Sequence, residues 1–285
     1  MKIEPMLAKP SSPFDSDQWL YEIKWDGERI VATVENEKIC KLENRHGRPV
    51  SEKYPEVIGS HVSADQAILD GEVICFDENG MPSFQRLTHR SHLQNPNKIP
   101  LAMKIYPVSY VIFDVMELNG KELTGLPLIS RKAILDSIVS KDNGIIPSIY
   151  IQEKGTEFFN ALVGKGYEGV MAKRMNSPYL AGKRSDHWLK FKPRHTAIVE
   201  ITGYNKGEGW RERMGALLIS EQGVERGRVG SGLMDKHIDE LLTRMEVIDR
   251  NNGTVLVKPT IQIEIAYFER TEAGHFRFPS FRRIV

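Results

Sequence analysis

Residues 21–30 read YEIKWDGERI. Tyr21, Ile23 and Trp25 alternate with Glu22, Lys24 and Asp26, the two-residue period of a half-buried strand. Asp26-Gly27 then reads as a turn. By itself the stretch predicts a hairpin arm with Lys24 on its wet face, because a lone lysine is usually solvated. Another reading requires that other segments bring partners to this lysine.

The 285 residues are 40% hydrophobic and 27% charged, which excludes a disordered or fibrous chain. No run approaches the roughly 20 apolar residues that span a bilayer. The opening MKIEPMLAKPSSPF has no apolar stretch of the signal-peptide kind, so a cytoplasmic protein is expected. The two cysteines, Cys40 and Cys75, sit among apolar or strand-forming neighbours and are expected to be buried and reduced. His89 and His92 have no further ligand types nearby and read as loop histidines. Residues 1–170 carry 19 Lys+Arg against 24 Asp+Glu, and residues 171–285 carry 20 against 14. The later part is therefore the expected partner of a polyanion.

Strand-like runs fill the first two thirds: 29–34, 38–42, 67–76, 107–116 and 168–174. Residues 130–139, with Ser130 as cap, and 156–163 have helical spacing. The polar stretch 88–100 predicts a loop. Beyond Lys192-Pro193-Arg194 come short strand runs divided by glycines, with one helix-like piece at 234–245. Five short strands and one helix predict a small Greek-key barrel of the oligonucleotide-binding (OB) type. The boundary is set at 194, giving domains 1–194 and 195–285. Gly203, Gly207 and Gly209 fit no phosphate-loop pattern and read as a barrel loop.

NRHG (44–47), LDGEVICF (69–76), FDVMELNG (113–120), EGVMAKR (168–174) and WLKFKP (188–193) each place charges at strand ends or turns. Singly, each suits a solvated surface. In this order, behind Lys24-Trp25-Asp26-Gly27-Glu28-Arg29, they resemble the superfamily of ATP-dependent DNA ligases and mRNA capping enzymes. PMLAKP near the start and SPYLAGKRSDHWLKFKP bring the resemblance nearest to compact bacterial and archaeal DNA ligases related to end-joining ligases. The implied fold is α+β: an antiparallel-sheet nucleotidyltransferase (adenylation) domain, then an OB-fold β-barrel. The absence of a cysteine cluster points to ATP rather than NAD.

A 5′-phosphate must be activated before a 3′-hydroxyl can attack it. An amine can accept AMP from ATP as a phosphoramidate and pass it on, dividing one hard step into easier ones. The resemblance makes Lys24 that nucleophile. Its amine must be uncharged to attack, and the cations Arg29, Lys190 and Lys192 favour that form. By resemblance, Glu22 and the backbone of Ile23 read the adenine edge. Phe113 and Met171 flank the base. Arg29 and Arg45 hold ribose, phosphate or nick ends, and Glu72 takes the ribose hydroxyls. Arg184, Lys190 and Lys192 neutralise the triphosphate. Glu168, with Glu72, serves Mg2+ (or Mn2+), hard ions that prefer carboxylate oxygen. Asp26 orients Lys24 or the metal. Nicked double-stranded DNA is the implied partner, end-joining proteins are further candidates, and a monomer is expected.

The sequence departs from the resemblance at its closing basic motif. FRFPSFRRIV supplies Arg277, Arg282 and Arg283, but the usual charged tail after it is absent or short, which bears on self-adenylylation. RNA ligase, mRNA guanylyltransferase and an idle nucleic-acid clamp stand as the alternatives.

Overall fold

The computed structural model describes residues 4–140, 144–207, 212–251, 253–271 and 273–285. The chain divides into two compact units, Met1–Lys192 and Pro193–Val285.

In chain order the first unit carries β1 (Leu7–Pro10), β2 (Ser16–Ile23), β3 (Glu28–Glu35), β4 (Lys38–Asn44), β5 (Gln66–Cys75), α1 (Phe84–Ser91), α2 (Ile99–Ile105), β6 (Val108–Leu118) and β7 (Lys121–Glu122). It continues with α3 (Leu128–Ile138), β8 (Ile145–Pro147), β9 (Tyr150–Glu153), α4 (Gly155–Gly164), β10 (Val170–Arg174) and β11 (Arg184–Phe191). The strands form two sheets. One has the order β1-β11-β10-β2-β9; the other runs β4-β3-β5-β6-β7, with β8 beside β6. Pairing is antiparallel except for β1 with β11 and β6 with β8.

The second sheet is apolar on both faces. Ile30, Ala32 and Val34 of β3 enter one core with Leu69 and Ile112. Val31 faces the other way, into a cluster with Phe113, Met116, Tyr179 and Trp188. Such double burial explains why β6 reads as a nearly continuous apolar run rather than an alternation. Because Trp188 belongs to β11, this second cluster joins the two sheets.

The hairpin expected at Lys24 does not form. β2 lies in the first sheet and β3 in the second, so Lys24–Gly27 is a crossover between sheets. The loop expected at 88–100 is helical at both ends. Ser83 caps α1 by accepting the Arg86 N–H, Leu87 and Arg90 bury one helical face, and Arg90 pairs with Glu56 at 2.6 Å. Pro100 sits in the first turn of α2, where its missing N–H costs nothing. His89 is thus helical, stacked on Tyr106. Helix α3 starts at Leu128 after Pro127, and Ser130 does not cap it. Cys40 is exposed on β4, contrary to expectation, because that edge strand has one wet face; Cys75 is buried, and both are free.

The second unit holds β12 (His195–Asn205), β13 (Ala216–Glu221), β14 (Val224–Val229), α5 (Asp235–Arg244), β15 (Val247–Asn251), β16 (Thr254–Val257), β17 (Gln262–Tyr267), β18 (Glu269–Arg270), β19 (Phe276–Arg277) and β20 (Ser280–Ile284). The long β12 pairs with β13, with β17 through its first half, and with β16 through its last residues. Among the described residues the ladder does not close into the expected barrel. β14 and β20 approach only through an isolated parallel bridge between Ser231 and Ser280. Gly203 is a strand residue at a register shift in β12, not a loop residue; a Cβ there would lie 2.6 Å from the Val255 carbonyl oxygen. Gly207 follows β12, and Gly209 lies outside the described residues. Arg282 and Arg283 are exposed on β20, where Arg283 donates to Glu264 at 2.6 Å, and Arg277 lies on β19. Among the described residues no helix is long and apolar enough to cross a membrane.

Candidate active site

The crossover is pinned at both ends. The Lys24 N–H donates to the Gly169 carbonyl at 3.0 Å, tying the end of β2 to the start of β10. Gly169 adopts φ +145°, and a Cβ on it would fall 1.9 Å from the Phe191 carbonyl oxygen. Only glycine tolerates both that backbone and that approach. At the other end, a Cβ on Gly27 would lie 2.3 Å from the Val73 carbonyl oxygen and 2.8 Å from Glu72 Cγ. The glycine of KWDG therefore lets the crossover lie directly on β5, beside Glu72.

Lys24 Nζ stands 2.5 Å from Glu168 Oε2, and the other Glu168 oxygen pairs with Lys192. Glu72 lies across from Arg29 in the β3–β5 ladder. Burial lifts the Glu72 carboxyl from its ordinary 4.5 to about 7; the Arg29 and Lys24 cations oppose this, and the Glu168 and Asp70 carboxylates add to it. Lys190 lies across from Met171 in the β10–β11 ladder. Burial lowers its ammonium, and Lys192, Lys24 and Arg184 reinforce the effect. Arg29 is held by a two-pronged bond to the fully buried Asp70, both contacts at 2.6 Å, and its guanidinium lies 4.5 Å from the Phe113 ring centre. Tyr179 donates to the same Asp70 carboxylate at 2.6 Å and accepts the Met6 N–H.

Several of these groups line a recess formed by Glu22, Ile23, Lys24, Trp25, Arg29, Glu72, Phe113, Met171, Lys173 and Trp188. Its inner end is polar. Glu22, only 2% exposed, pairs through one carboxylate oxygen with Lys173 at 2.6 Å and through the other with Lys132 of α3. Acidic, basic and aromatic groups thus converge on one cleft, the arrangement needed to hold a nucleotide and stabilise charge at its phosphates.

Most expected site residues gather here. Lys24, Glu22, Ile23, Arg29, Glu72, Phe113 and Met171 line the recess; Glu168 pairs with both Lys24 and Lys192 beside it, and Lys190 lies opposite Met171 on β11 without lining it. Two others do not line it either. Arg45 is exposed on a turn and donates to His46 at 3.0 Å; Arg184 is exposed at the start of β11, bonded to the Ala8 carbonyl.

Residues 5–192 match the ATP dependent DNA ligase domain family, and residues 210–284 match the ATP dependent DNA ligase C terminal region. The chain belongs to the ATP-dependent DNA ligase family. Among curated relatives, it is 30% identical to the multifunctional non-homologous end joining protein LigD of Mycolicibacterium smegmatis, covering 98% of this chain and 38% of LigD. It is 32% identical to DNA ligase 2 of Methanosarcina mazei, covering 99% of this chain and 55% of that ligase. The chain thus spans about half the length, or less, of these relatives. Among solved structures, the mycobacterial DNA ligase D complexed with ATP and MES superposes with a TM-score of 0.59 at 27% identity, covering 99% of this chain and 95% of that one.

Within this ligase-family site, sequence reasoning missed Asp70, Lys132, Lys173 and Trp188. Two had a readable signal. Lys173 is two residues beyond Met171 on a strand, hence on the same face. Trp188 is two before Lys190 on β11. Lys132 had none: it comes from a helix distant in sequence and is drawn inward by Glu22.

Proposed function

We propose that this chain seals nicks in duplex DNA with ATP, through a lysyl-AMP at Lys24 and then a DNA-adenylate. The observation that carries the reading is the contact of Lys24 Nζ with Glu168 beside a recess lined by Glu22, Phe113, Arg29 and Glu72. The ion pairs of Lys24 and Lys192 with Glu168 and of Arg29 with Asp70 hold these groups before substrate arrives, the positioning on which phosphoryl-type transfer depends.

In the first step Lys24 Nζ attacks the α-phosphorus of ATP; the P–N bond forms and the P–O bond to pyrophosphate breaks. Phe113 and Met171 flank the base, with Glu22 and the Ile23 backbone at its edge. Glu72 meets the ribose hydroxyls. Arg29, Lys190 and Lys192 face the phosphates, with Arg184 at the periphery for the triphosphate and Arg45 for the nick ends. Asp26 orients the crossover. The 5′-phosphate of the nick then takes AMP from Lys24, and the 3′-hydroxyl displaces it.

Glu168 and Glu72 suit a divalent cation. Both carboxylates face Lys24, no salt bridge among the described residues occupies Glu72, and no described cluster of three or more metal-binding side chains exists. Two carboxylates completed by substrate phosphate oxygens fit Mg2+ or Mn2+ better than a closed protein cage. Such an ion supplies charge neutralisation at the phosphates.

The basic balance of residues 171–285 supports nicked duplex as the partner. We assign residues 1–194 to adenylation and 195–285 to an OB-type DNA-binding domain, working as a monomer in the cytoplasm. The LigD relative's name makes end-joining proteins the first partners to test. The deciding measurement is intact mass under denaturing conditions after incubation with ATP and Mg2+, followed by addition of nicked duplex. One adenylate is gained and then lost as the nick closes. Lys24→Ala gains none and still binds DNA. Sealing by Lys24→Ala would end the proposal.

A further inference from the structure

The Arg29 guanidinium is held from behind by a closed circuit of hydrogen bonds. Arg29 Nε and Nη2 each donate to the Asp70 carboxylate at 2.6 Å. The Tyr179 hydroxyl donates to the same carboxylate at 2.6 Å. The Met6 peptide joins the two ends: its N–H donates to the Tyr179 oxygen at 3.0 Å, and its carbonyl lies 3.5 Å from Arg29 Nη2. Met6 and Asp70 are fully buried and Tyr179 is 3% exposed. None of these three lines the recess, whereas Arg29 does. The circuit engages Nε and Nη2 and does not use the Nη1 edge of the guanidinium.

We propose that Tyr179, clamped by the Met6 peptide, is a positioning residue for Arg29: its hydroxyl fixes the Asp70 carboxylate and so aims the guanidinium at the phosphates in the recess. This rests on the ligase reading above and deepens it.

A forked ion pair sets the plane of a guanidinium only as firmly as the carboxylate itself is set. The last torsion of an aspartate is broad, so the carboxylate needs a further fixed point. Tyr179 supplies one because its own place is fixed. Its ring meets Trp188 edge-on at 5.7 Å, and its backbone N–H donates to the Thr124 carbonyl at 2.8 Å. Burial, and then the Asp70 charge, raise the hydroxyl well above its ordinary 10, so it keeps its proton and donates at any working pH. Tyr179→Phe retains the ring and takes the hydroxyl out of both its bonds.

The test compares wild type, Tyr179→Phe, Arg29→Ala and the double variant in quenched-flow adenylate formation, at temperatures where circular dichroism shows each to be folded. Tyr179→Phe lowers kcat about tenfold and leaves KM for ATP within about twofold, because aim matters most in the transition state. Arg29→Ala costs more. In its background Tyr179→Phe costs nothing further, as two residues of one circuit require. A hydroxyl that served stability alone would add its full cost with or without Arg29. A second measurement needs no Arg29 variant: hydrogen exchange at Arg29 Nε, followed by NMR. Tyr179→Phe speeds that exchange about tenfold or more. Arg131 Nε, bonded to Asp114 beside the same ring, stays as it was, whereas general loosening would move both. Full additivity of the two substitutions, or Arg29 exchange unmoved by loss of the hydroxyl, would overturn the inference and leave the ligase reading standing. No adenylate from the wild-type chain would sink both, since Arg29 would then have no reaction to serve.

Discussion

The two oxygens of Glu168 serve two lysines: one stands 2.5 Å from Lys24 Nζ and the other pairs with Lys192. One carboxylate therefore fixes Lys24, the proposed nucleophile, and Lys192, the proposed phosphate-facing cation, together. Glu168→Gln keeps the shape and removes the charge. Loss of one preorganised electrostatic group of this kind costs about 100-fold or more in rate. Quenched-flow measurement of labelled enzyme-adenylate should show that loss, with thermal unfolding little changed because Glu168 is partly exposed. A rate within a few-fold of wild type would remove Glu168 from the mechanism.

Asp70 and Tyr179 should separate by stability. Asp70 is fully buried and holds Arg29 with two bonds, so Asp70→Ala strands a guanidinium. Breaking a buried pair on one side costs about 3–5 kcal/mol. Arg29 keeps a side-chain exposure of 19%, which places the expected loss at the lower end. Tyr179→Phe removes a charge-assisted hydrogen bond of about 1.5–3 kcal/mol and the acceptor of the Met6 N–H, about 1 kcal/mol more, whereas Asp70→Ala strands the Tyr179 hydroxyl as well as Arg29 and should cost more than this. Urea unfolding of both variants measures the difference. Equal midpoints would contradict this order.

Glu72 makes the chain pH-sensitive. Its carboxyl sits at about 7 in the fold against an ordinary 4.5, so the native state holds the proton more tightly. Its contribution to stability is then fully present below about 4.5 and is lost as pH rises through about 7. Glu72→Gln should match wild type in stability in mild acid and exceed it above neutrality. Adenylate formation, which calls on the ionised carboxylate, should rise in wild type across the same window. The Gln variant should be slower and lack that rise. A wild-type melting temperature that climbs from pH 5 to pH 8 while the Gln variant stays flat would reverse the sign and refute this.

Gly27→Ala and Gly169→Ala test the pinned crossover. Each adds one methyl group against a backbone carbonyl, at 2.3 Å and 1.9 Å respectively. Overpacking of this size costs about 1–3 kcal/mol, with added strain at Gly169 because of its positive φ. Both should lose adenylate formation even at temperatures where circular dichroism shows a native fold. Full activity in either would mean that the crossover has room to spare.

Sealing and self-adenylylation should part company in salt. In the proposed reaction, duplex binding through phosphate contacts makes nick sealing fall steeply between about 50 and 200 mM salt. Adenylate formation, inside the recess, should fall less. Arg45→Ala, altering an exposed side chain outside the recess, should leave adenylate formation within about twofold of wild type.

The strands that carry the charged motifs were legible because their apolar runs are long. β5 and β6 were anticipated within a few residues. The local reading of KWDG as a hairpin failed because a turn signal cannot say which sheet receives the next strand. That choice depends on pairings with β5 and β10, both far along the chain. Helices α1 and α2 hid behind polar composition, since the force drawing Arg90 inward is Glu56, invisible to any local window. For the same reason Lys132 and Asp70 escaped notice: buried charges are placed by their partners, and partners meet only in three dimensions.

The crossover from Lys24 to Gly27 behaves as a taut tether. It is fastened to one sheet at Gly169 and rests on the other at Val73. The amine of Lys24, the proposed nucleophile, therefore rides on a span rather than on either wall, and its reach is set by the spacing between walls. Under the proposed chemistry, side chains packed at the inter-sheet seam, such as Val31 and Met116, would set that spacing from outside the recess lining.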